Sequence, residues 1–291
     1  MRESRAQIAK PDIVKTFEKQ EKAVFKRSDI EKILRENRDF WRLKRSMTSQ
    51  EFIEFLMART KLRKVRLDFP HRRAVRYVWG KPRFYELLMS IDEKCYCSHY
   101  TAVQLHGLTE QVPKTVYVNR EQPAKPHPAG GLAQERIDVA FKRPTRMSSN
   151  FVDYQGRRVY LLSGKQTGNL GVIEAETADG SRVRVTDLER TLVDIAVRPE
   201  YAGGVFEVLQ AYRLAHGRVS VNKLAATLRK MDYVYPYHQV VGFYLDRAGV
   251  YKESAVGLLR RFEFTYDFYL MHQIEDKAYS EKWRLFFPKG L

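Results

Sequence analysis

Cysteine is almost missing from this chain: two residues in 291, Cys95 and Cys97. Thiols that close together cannot staple a secreted fold, so a disulfide framework is excluded and a reducing, cytoplasmic setting is expected. Long apolar runs are missing as well. No stretch approaches 18 apolar residues, and the opening MRESRAQIAK has no apolar signal core. Neither a membrane span nor a secreted product is expected. Acids are scarce beside bases, 35 Asp and Glu against 52 Lys and Arg, for a formal net charge of +17. That balance predicts a polyanionic partner, nucleic acid ahead of an anionic membrane surface. Hydrophobic residues at 44% and aromatics at 12% exclude a wholly disordered chain. The length suits about two domains.

The charge is uneven. Residues 1–80 hold 22 bases and 11 acids, a net +11 that leaves +6 for the other 211 residues. Residues 42–76 alone carry eleven bases and only three acids, Glu51, Glu54 and Asp68. A solvated basic face is the plain alternative, but this density points to a dedicated polyanion-binding module.

Residues 1–80 read as three short helices and a β-hairpin. Pro11 suits a first helical turn, followed by Ile13, Val14 and Phe17. Ser28-Asp29-Ile30-Glu31 has the pattern of a capping box, with Ile30, Ile33 and Leu34 as the buried stripe. Thr48-Ser49-Gln50-Glu51 repeats the pattern before Phe52, Ile53, Phe55 and Leu56. Val65, Leu67 and Phe69 then alternate with charged residues, Pro70-His71-Arg72-Arg73 make a polar turn, and Val75, Tyr77 and Trp79 alternate again. Three helices and a basic hairpin predict a winged helix-turn-helix over 1–80. Its expected recognition helix is 48–60. Phosphate contacts are expected from Arg42, Lys44, Arg45, Arg63, Lys64, Arg66, Arg72 and Arg73, and base reading from Ser49, Gln50 and Arg59. Glu51 and Glu54 on the exposed side of that helix oppose phosphate, so the bases before the helix and the wing carry most of the expected affinity. A winged helix used for protein contact is the alternative.

Residues 81–291 predict a larger α/β domain with a mixed sheet and C-terminal helices, α+β overall because strands and helices are segregated. A connecting helix is expected at 83–92. A short helix runs from Ser98 to a stop at Gly107, and a strand covers 116–119. A loop rich in proline and glycine spans 120–135. Strands are expected at 136–142, 158–162, 170–176 and 182–185. Thr186-Asp187-Leu188-Glu189 forms a third capping box, opening a helix that stops at Pro199. Further helices are expected at 203–216, 220–231, 237–248 and 253–261, with a terminal strand near 283–288.

Catalytic signatures fail. Cys95, Cys97, His99 and His106 lack the two ligand pairs of a structural zinc site. Glu174 and Glu176 with Asp138 lack the lysine of a nuclease carboxylate set, since position 178 is alanine. Gly130-Gly131 and Gly203-Gly204 match no phosphate-binding loop. No catalytic residue, metal or cofactor is expected, and the chain is not read as an enzyme. A nuclease with carboxylates in the second domain stays as an alternative. The aromatic C-terminal third, Tyr233 to Tyr269, could be core, a stacking platform for nucleic acid or a protein interface.

The run from Ser98-His99-Tyr100-Thr101 through His106-Gly107-Leu108 to Pro113 resembles the segment after the winged helix in AbiEi antitoxins, of abortive-infection, type IV toxin–antitoxin systems. Val185-Thr186-Asp187-Leu188-Glu189-Arg190-Thr191-Leu192-Val193-Asp194, with Pro199 and Gly203-Gly204, is similar to that family's second signature, and Trp283-Arg284-Leu285 with Pro288 to its close. The resemblance spans most of the chain and matches least at 120–135. It implies a DNA-binding transcriptional regulator that represses its own operon through inverted repeats in double-stranded DNA. It also implies antagonism of an AbiEii-like nucleotidyltransferase toxin that need not involve a stable complex. His99, Gly107, Glu189 and Asp194 are then expected to serve the fold as packing, turn, cap and hydrogen-bond residues.

Overall fold

The structure is a computed structural model that describes residues 4–124, 126 and 131–291. Part of the loop expected at 120–135, residues 125 and 127–130 with Gly130, lies outside the described residues. The fold mixes helices with mixed sheets, in keeping with an α+β class. Two compact units form, Met1–Glu93 with Glu176–Val183, and Lys94–Ala175 with Arg184–Leu291. No helix among the described residues is long and apolar enough to cross a membrane.

The first unit runs α1 (Arg5–Ile8), α2 (Lys10–Glu18), β1 (Val24–Phe25), α3 (Arg27–Asn37), α4 (Ser49–Arg59), β2 (Leu62–Phe69), β3 (Arg72–Trp79) and α5 (Phe84–Met89). Pro11 sits in the first turn of α2, where its missing N–H costs nothing. α3 buries Ile30, Ile33 and Leu34, as its spacing predicts, but starts earlier than Ser28. Asp29 accepts from the Lys26 amide at 2.8 Å, so the N-cap is Lys26, two residues before Ser28. Glu31 is left to accept from Arg27 Nε at 2.8 Å.

The strands form a sheet in the order β1-β3-β2, with Val24 opposite Val78 and Leu62 opposite Trp79. The hairpin tip is only Pro70-His71, because Arg72 and Arg73 pair with Phe69 and Asp68 inside the ladder. Phe17 stacks on Trp79 at 4.8 Å, and Trp41 stacks on Phe52 at 5.6 Å. The unit extends past the expected boundary at residue 80 because α5 and its neighbours are tied back. Glu86 accepts from the Ala23 amide at 2.6 Å, and Arg76 donates to the Ile91 carbonyl at 2.9 Å.

The second unit opens with β4 (Tyr96–Cys97), α6 (His99–Leu105), β5 (Thr115–Glu121), α7 (Gln134–Lys142), β6 (Phe151–Tyr154), β7 (Arg157–Gly164), β8 (Val172–Glu176) and β9 (Arg182–Thr186). It continues with α8 (Leu188–Val197), α9 (Val205–Leu214), α10 (Val221–Met231), α11 (Tyr237–Ala248) and α12 (Glu253–Val256), then β10 (Phe268–Tyr269), β11 (Lys277–Ser280) and β12 (Leu285–Pro288). The sheet order is β6-β7-β5-β4-β9-β8, with β5 parallel to β7 and β4 parallel to β9. A small C-terminal sheet runs β10-β12-β11.

Residues 136–142 are helix, not the expected strand. Ile137 and Phe141, four apart, are the buried pair, while Val139 between them is 51% exposed. The expected strand at 170–176 shortens to β8, and the expected helix at 253–261 is α12 followed by a 3-10 turn at Leu259–Arg261. β6 pairs antiparallel with β7 as an edge strand that sequence pattern did not indicate.

Candidate nucleic-acid interface

α4 is held by burial of Phe52, Ile53 and Leu56, an i, i+1, i+4 stripe. Each such side chain contributes roughly 1.5–3 kcal/mol by leaving water. Its start is the expected capping box. Thr48 Oγ1 accepts from the Glu51 amide at 3.2 Å, and Glu51 accepts from the Thr48 amide at 2.7 Å. These bonds from Thr48 hold the Glu51 carboxyl below its ordinary value. The exposed face carries Gln50, Glu51, Glu54, Ala58 and Arg59. Gln50 donates to Glu54 at 2.7 Å, so both acids of this face already have internal donors. Ser49 is half-buried and donates to Glu31 at 3.1 Å, which ties α4 to α3.

The segment before α4 alternates anchors with charges. Trp41 and Leu43 are buried, whereas Arg42, Lys44 and Arg45 are exposed. Arg38 fixes this segment by donating to the Lys44 carbonyl at 2.6 Å and the Met47 carbonyl at 2.9 Å. Sequence reasoning did not single out Arg38. One more base at the end of a charged helix carries no signal until the chain turns back on it.

The hairpin has two faces, because successive strand residues point to opposite sides. One face holds Leu62, Tyr77 and Trp79, which share a core with Phe52, Ile53 and Leu56 of α4. Lys64, Arg66 and Arg73 continue this face outward and are exposed, and Arg66 meets the exposed Asp68 of the same face at 3.3 Å. The other face holds Arg63, Arg72 and Arg76. Arg63 donates to the Gly80 carbonyl at 2.7 Å, and Arg72 is paired with Asp92 at 2.7 Å. Arg76 is buried, and its burial beside Arg72 pulls its pKa down. The sequence-predicted set is therefore divided. Arg42, Lys44, Arg45, Gln50, Arg59, Lys64, Arg66 and Arg73 are exposed on α4, its approach segment and the face of the hairpin that α4 packs on. Arg63 and Arg72 lie on the opposite face, and Ser49 is engaged by Glu31.

The second unit brings the His99 and Asp187 runs together. His106 Nε2 lies 2.6 Å from the Thr186 carbonyl, and Gly107 closes α6 at φ +64°. The helix cap here is Asp187, accepting from the Arg190 amide at 2.8 Å, rather than Thr186. Thr186 is turned inward to the Thr191 hydroxyl at 2.8 Å. Glu189 is not a cap. It accepts from the Ser220 amide at 2.9 Å and from Lys223 at 2.8 Å. His99 has φ +50° and holds Nδ1 2.9 Å from the Ser98 hydroxyl, and burial pushes its pKa down to about 4. Asp138, considered for a nuclease set, accepts from Gln134 and Tyr269, while Glu174 is exposed on β8. No three His, Cys, Asp or Glu among the described residues come together in a way that could hold a metal ion.

No family model matches the chain, and no curated protein does. Among solved structures, the crystal structure of RV2827C protein from Mycobacterium tuberculosis is similar in fold. It superposes with a TM-score of 0.60 at 14% identity, covering 96% of this chain and 91% of that one.

Proposed function

We propose that the first unit is a winged helix-turn-helix that binds double-stranded DNA, and that the chain is a transcriptional repressor and antitoxin, not an enzyme. The observation that carries the DNA reading is the exposure of six bases, Arg42, Lys44, Arg45, Lys64, Arg66 and Arg73, on the segment before α4 and on the hairpin face that α4 packs on, all built on one core. The order helix, strand, helix, helix, strand, strand supports it. α4 would enter the major groove with Gln50 and Arg59 toward base edges, and the hairpin would lie along phosphates. The acids of α4 do not defeat this, since Glu51 is held by its cap and Glu54 by Gln50. Autoregulation through inverted repeats and antagonism of a nucleotidyltransferase-type toxin rest on the AbiEi resemblance of the runs at 98–113 and 185–194.

The test is a gel-shift titration of the full chain on the DNA upstream of its gene, against a scrambled duplex. Six neutralised phosphates should lower affinity about 10³-fold between 50 and 200 mM salt. Equal, weak binding to both duplexes would overturn the operator reading. For the antitoxin reading, co-expression with an AbiEii-like nucleotidyltransferase toxin should restore growth, and a triple Lys64→Ala, Arg66→Ala, Arg73→Ala variant should still do so.

A further inference from the structure

The turn after α10 and the first residue of α11 carry three tyrosines in five residues, Tyr233, Tyr235 and Tyr237, each only half-buried. With Leu228, Arg229, Asp232, His238 and Phe262 they line a cleft of about 180 Å³. That is smaller than the ~300–1,000 Å³ of a site for a drug-sized ligand, and suits a single planar ring system. Most tyrosines of this unit spend their hydroxyls internally. Those of Tyr212, Tyr251 and Tyr266 each donate to a backbone carbonyl, and that of Tyr269 to Asp138. The hydroxyls of Tyr233, Tyr235 and Tyr237 make no hydrogen bond among the described residues.

The rest of the cleft is equally specific in chemistry. His238 Nε2 lies 2.9 Å from the Glu263 carbonyl, which can only accept, so the proton sits on Nε2 and Nδ1 is left as an acceptor. Burial keeps this imidazole neutral, with a pKa near 4. His238 also stacks on Phe262 at 5.0 Å, and the Arg229 guanidinium lies over the same ring at 4.7 Å. Lys165 lies over the Tyr233 ring at 5.4 Å. Lys230 and Arg261 flank the cleft in sequence and are exposed. The cleft thus combines stacking faces, hydroxyl donors, one imidazole acceptor and a cationic rim.

We propose that this cleft binds one unpaired nucleobase of a single-stranded nucleic acid, with Arg229 taking the adjacent phosphate. Hydroxyl donors suit base carbonyls, the His238 acceptor suits an exocyclic amine, and aromatic rings and guanidinium planes suit the base face. A duplex keeps its base edges paired and cannot fill the cleft. The site lies in the second unit, does not depend on the DNA reading of the first, and its failure would leave that reading intact.

The test uses the full chain and labelled single strands of roughly 12 nucleotides, within the usual range of strand-binding sites, followed by fluorescence anisotropy. Phe262→Ala should weaken strand binding by about 5- to 150-fold, the range for loss of a stacking aromatic. Arg229→Gln, an exposed change that leaves the melting temperature unaltered, should weaken it measurably too. The Lys64, Arg66, Arg73 triple-alanine variant should keep strand binding. A strand containing 4-thiouridine should crosslink to the 233–238 segment. Unchanged affinity in Arg229→Gln, or crosslinks confined to other segments, would overturn the site. Mononucleotides that compete as well as the strand would overturn the strand as ligand in favour of a free nucleotide.

Discussion

Gly242 sits in the middle of α11 directly against the indole of Trp283, so closely that a Cβ there would overlap the six-membered ring. Trp283 is fully buried, and its Nε1 donates to Asp246 on the same helix at 2.9 Å. Glycine in a helix interior costs about 1 kcal/mol relative to alanine. Here it is retained because the ring needs the space.

Gly242→Ala should therefore destabilise the second unit despite its better helix propensity. Overpacking of this kind costs about 1–3 kcal/mol, and urea unfolding should show a lower midpoint. A stabilised variant would mean that the Trp283 ring can move aside.

The two hairpin faces make the DNA reading specific. Lys64→Ala, Arg66→Ala and Arg73→Ala should each weaken duplex binding and reduce the salt slope by about 1. Arg63→Ala and Arg72→Ala should leave the slope unchanged, because those side chains serve Gly80 and Asp92. The opposite pattern would place the nucleic acid on the other face.

Arg38 is a positioning residue for the bases that follow it. Arg38→Gln removes its bonds to the Lys44 and Met47 carbonyls, each worth about 1 kcal/mol. Thermal melting should fall and duplex affinity with it, while the salt slope stays near wild type. A changed slope would make Arg38 a phosphate contact in its own right.

His99 sets a pH window. Its ordinary value of 6.5 is depressed to about 4 by burial, so the unfolded chain takes up the proton first. The stability it contributes is fully present above about pH 6.5 and is lost as pH falls toward 4, with a slope of at most ~1.4 kcal/mol per pH unit. His99→Asn, which tolerates the positive φ, should flatten that decline. The share from His238, depressed to a similar value, should remain. A decline as steep as in wild type would remove His99 as a cause.

Arg190 and Asp194, one turn apart in α8, form an ion pair at 2.7 Å with both side chains almost wholly buried. Asp194→Ala leaves the guanidinium buried and unpaired and should cost ~3–5 kcal/mol. Replacing both residues together, Arg190→Met with Asp194→Leu, should recover much of that loss. Failure to recover it would show that the bonds of Arg190 to Thr167 and Leu170 matter more than the pair.

Local signals were legible wherever neighbours in sequence decide the outcome. The Thr48 box, Pro11 in a first turn, the α4 stripe and the stop at Gly107 need only short-range geometry, and each stands where the pattern put it. Three caps or elements moved because a competing group lay within one turn. Asp29 replaced Glu31 at the third helical position and moved the cap from Ser28 to Lys26, Asp187 displaced Thr186, and the i, i+4 pair Ile137 and Phe141 outweighed the alternation through Val139.

Of the candidate interface, composition alone identified the basic stretch and which residues it contains. Charge is a property of the residue and survives any fold. Which of those bases face outward together was decided only by tertiary structure. Strand register sends Arg63 and Arg72 to one side and Lys64, Arg66 and Arg73 to the other, and acids distant in sequence, such as Asp92, select which bases are paired. The tyrosine cleft follows the same division. Its aromatics are visible in the sequence, but only packing brings them together with Arg229 and His238 around one cleft.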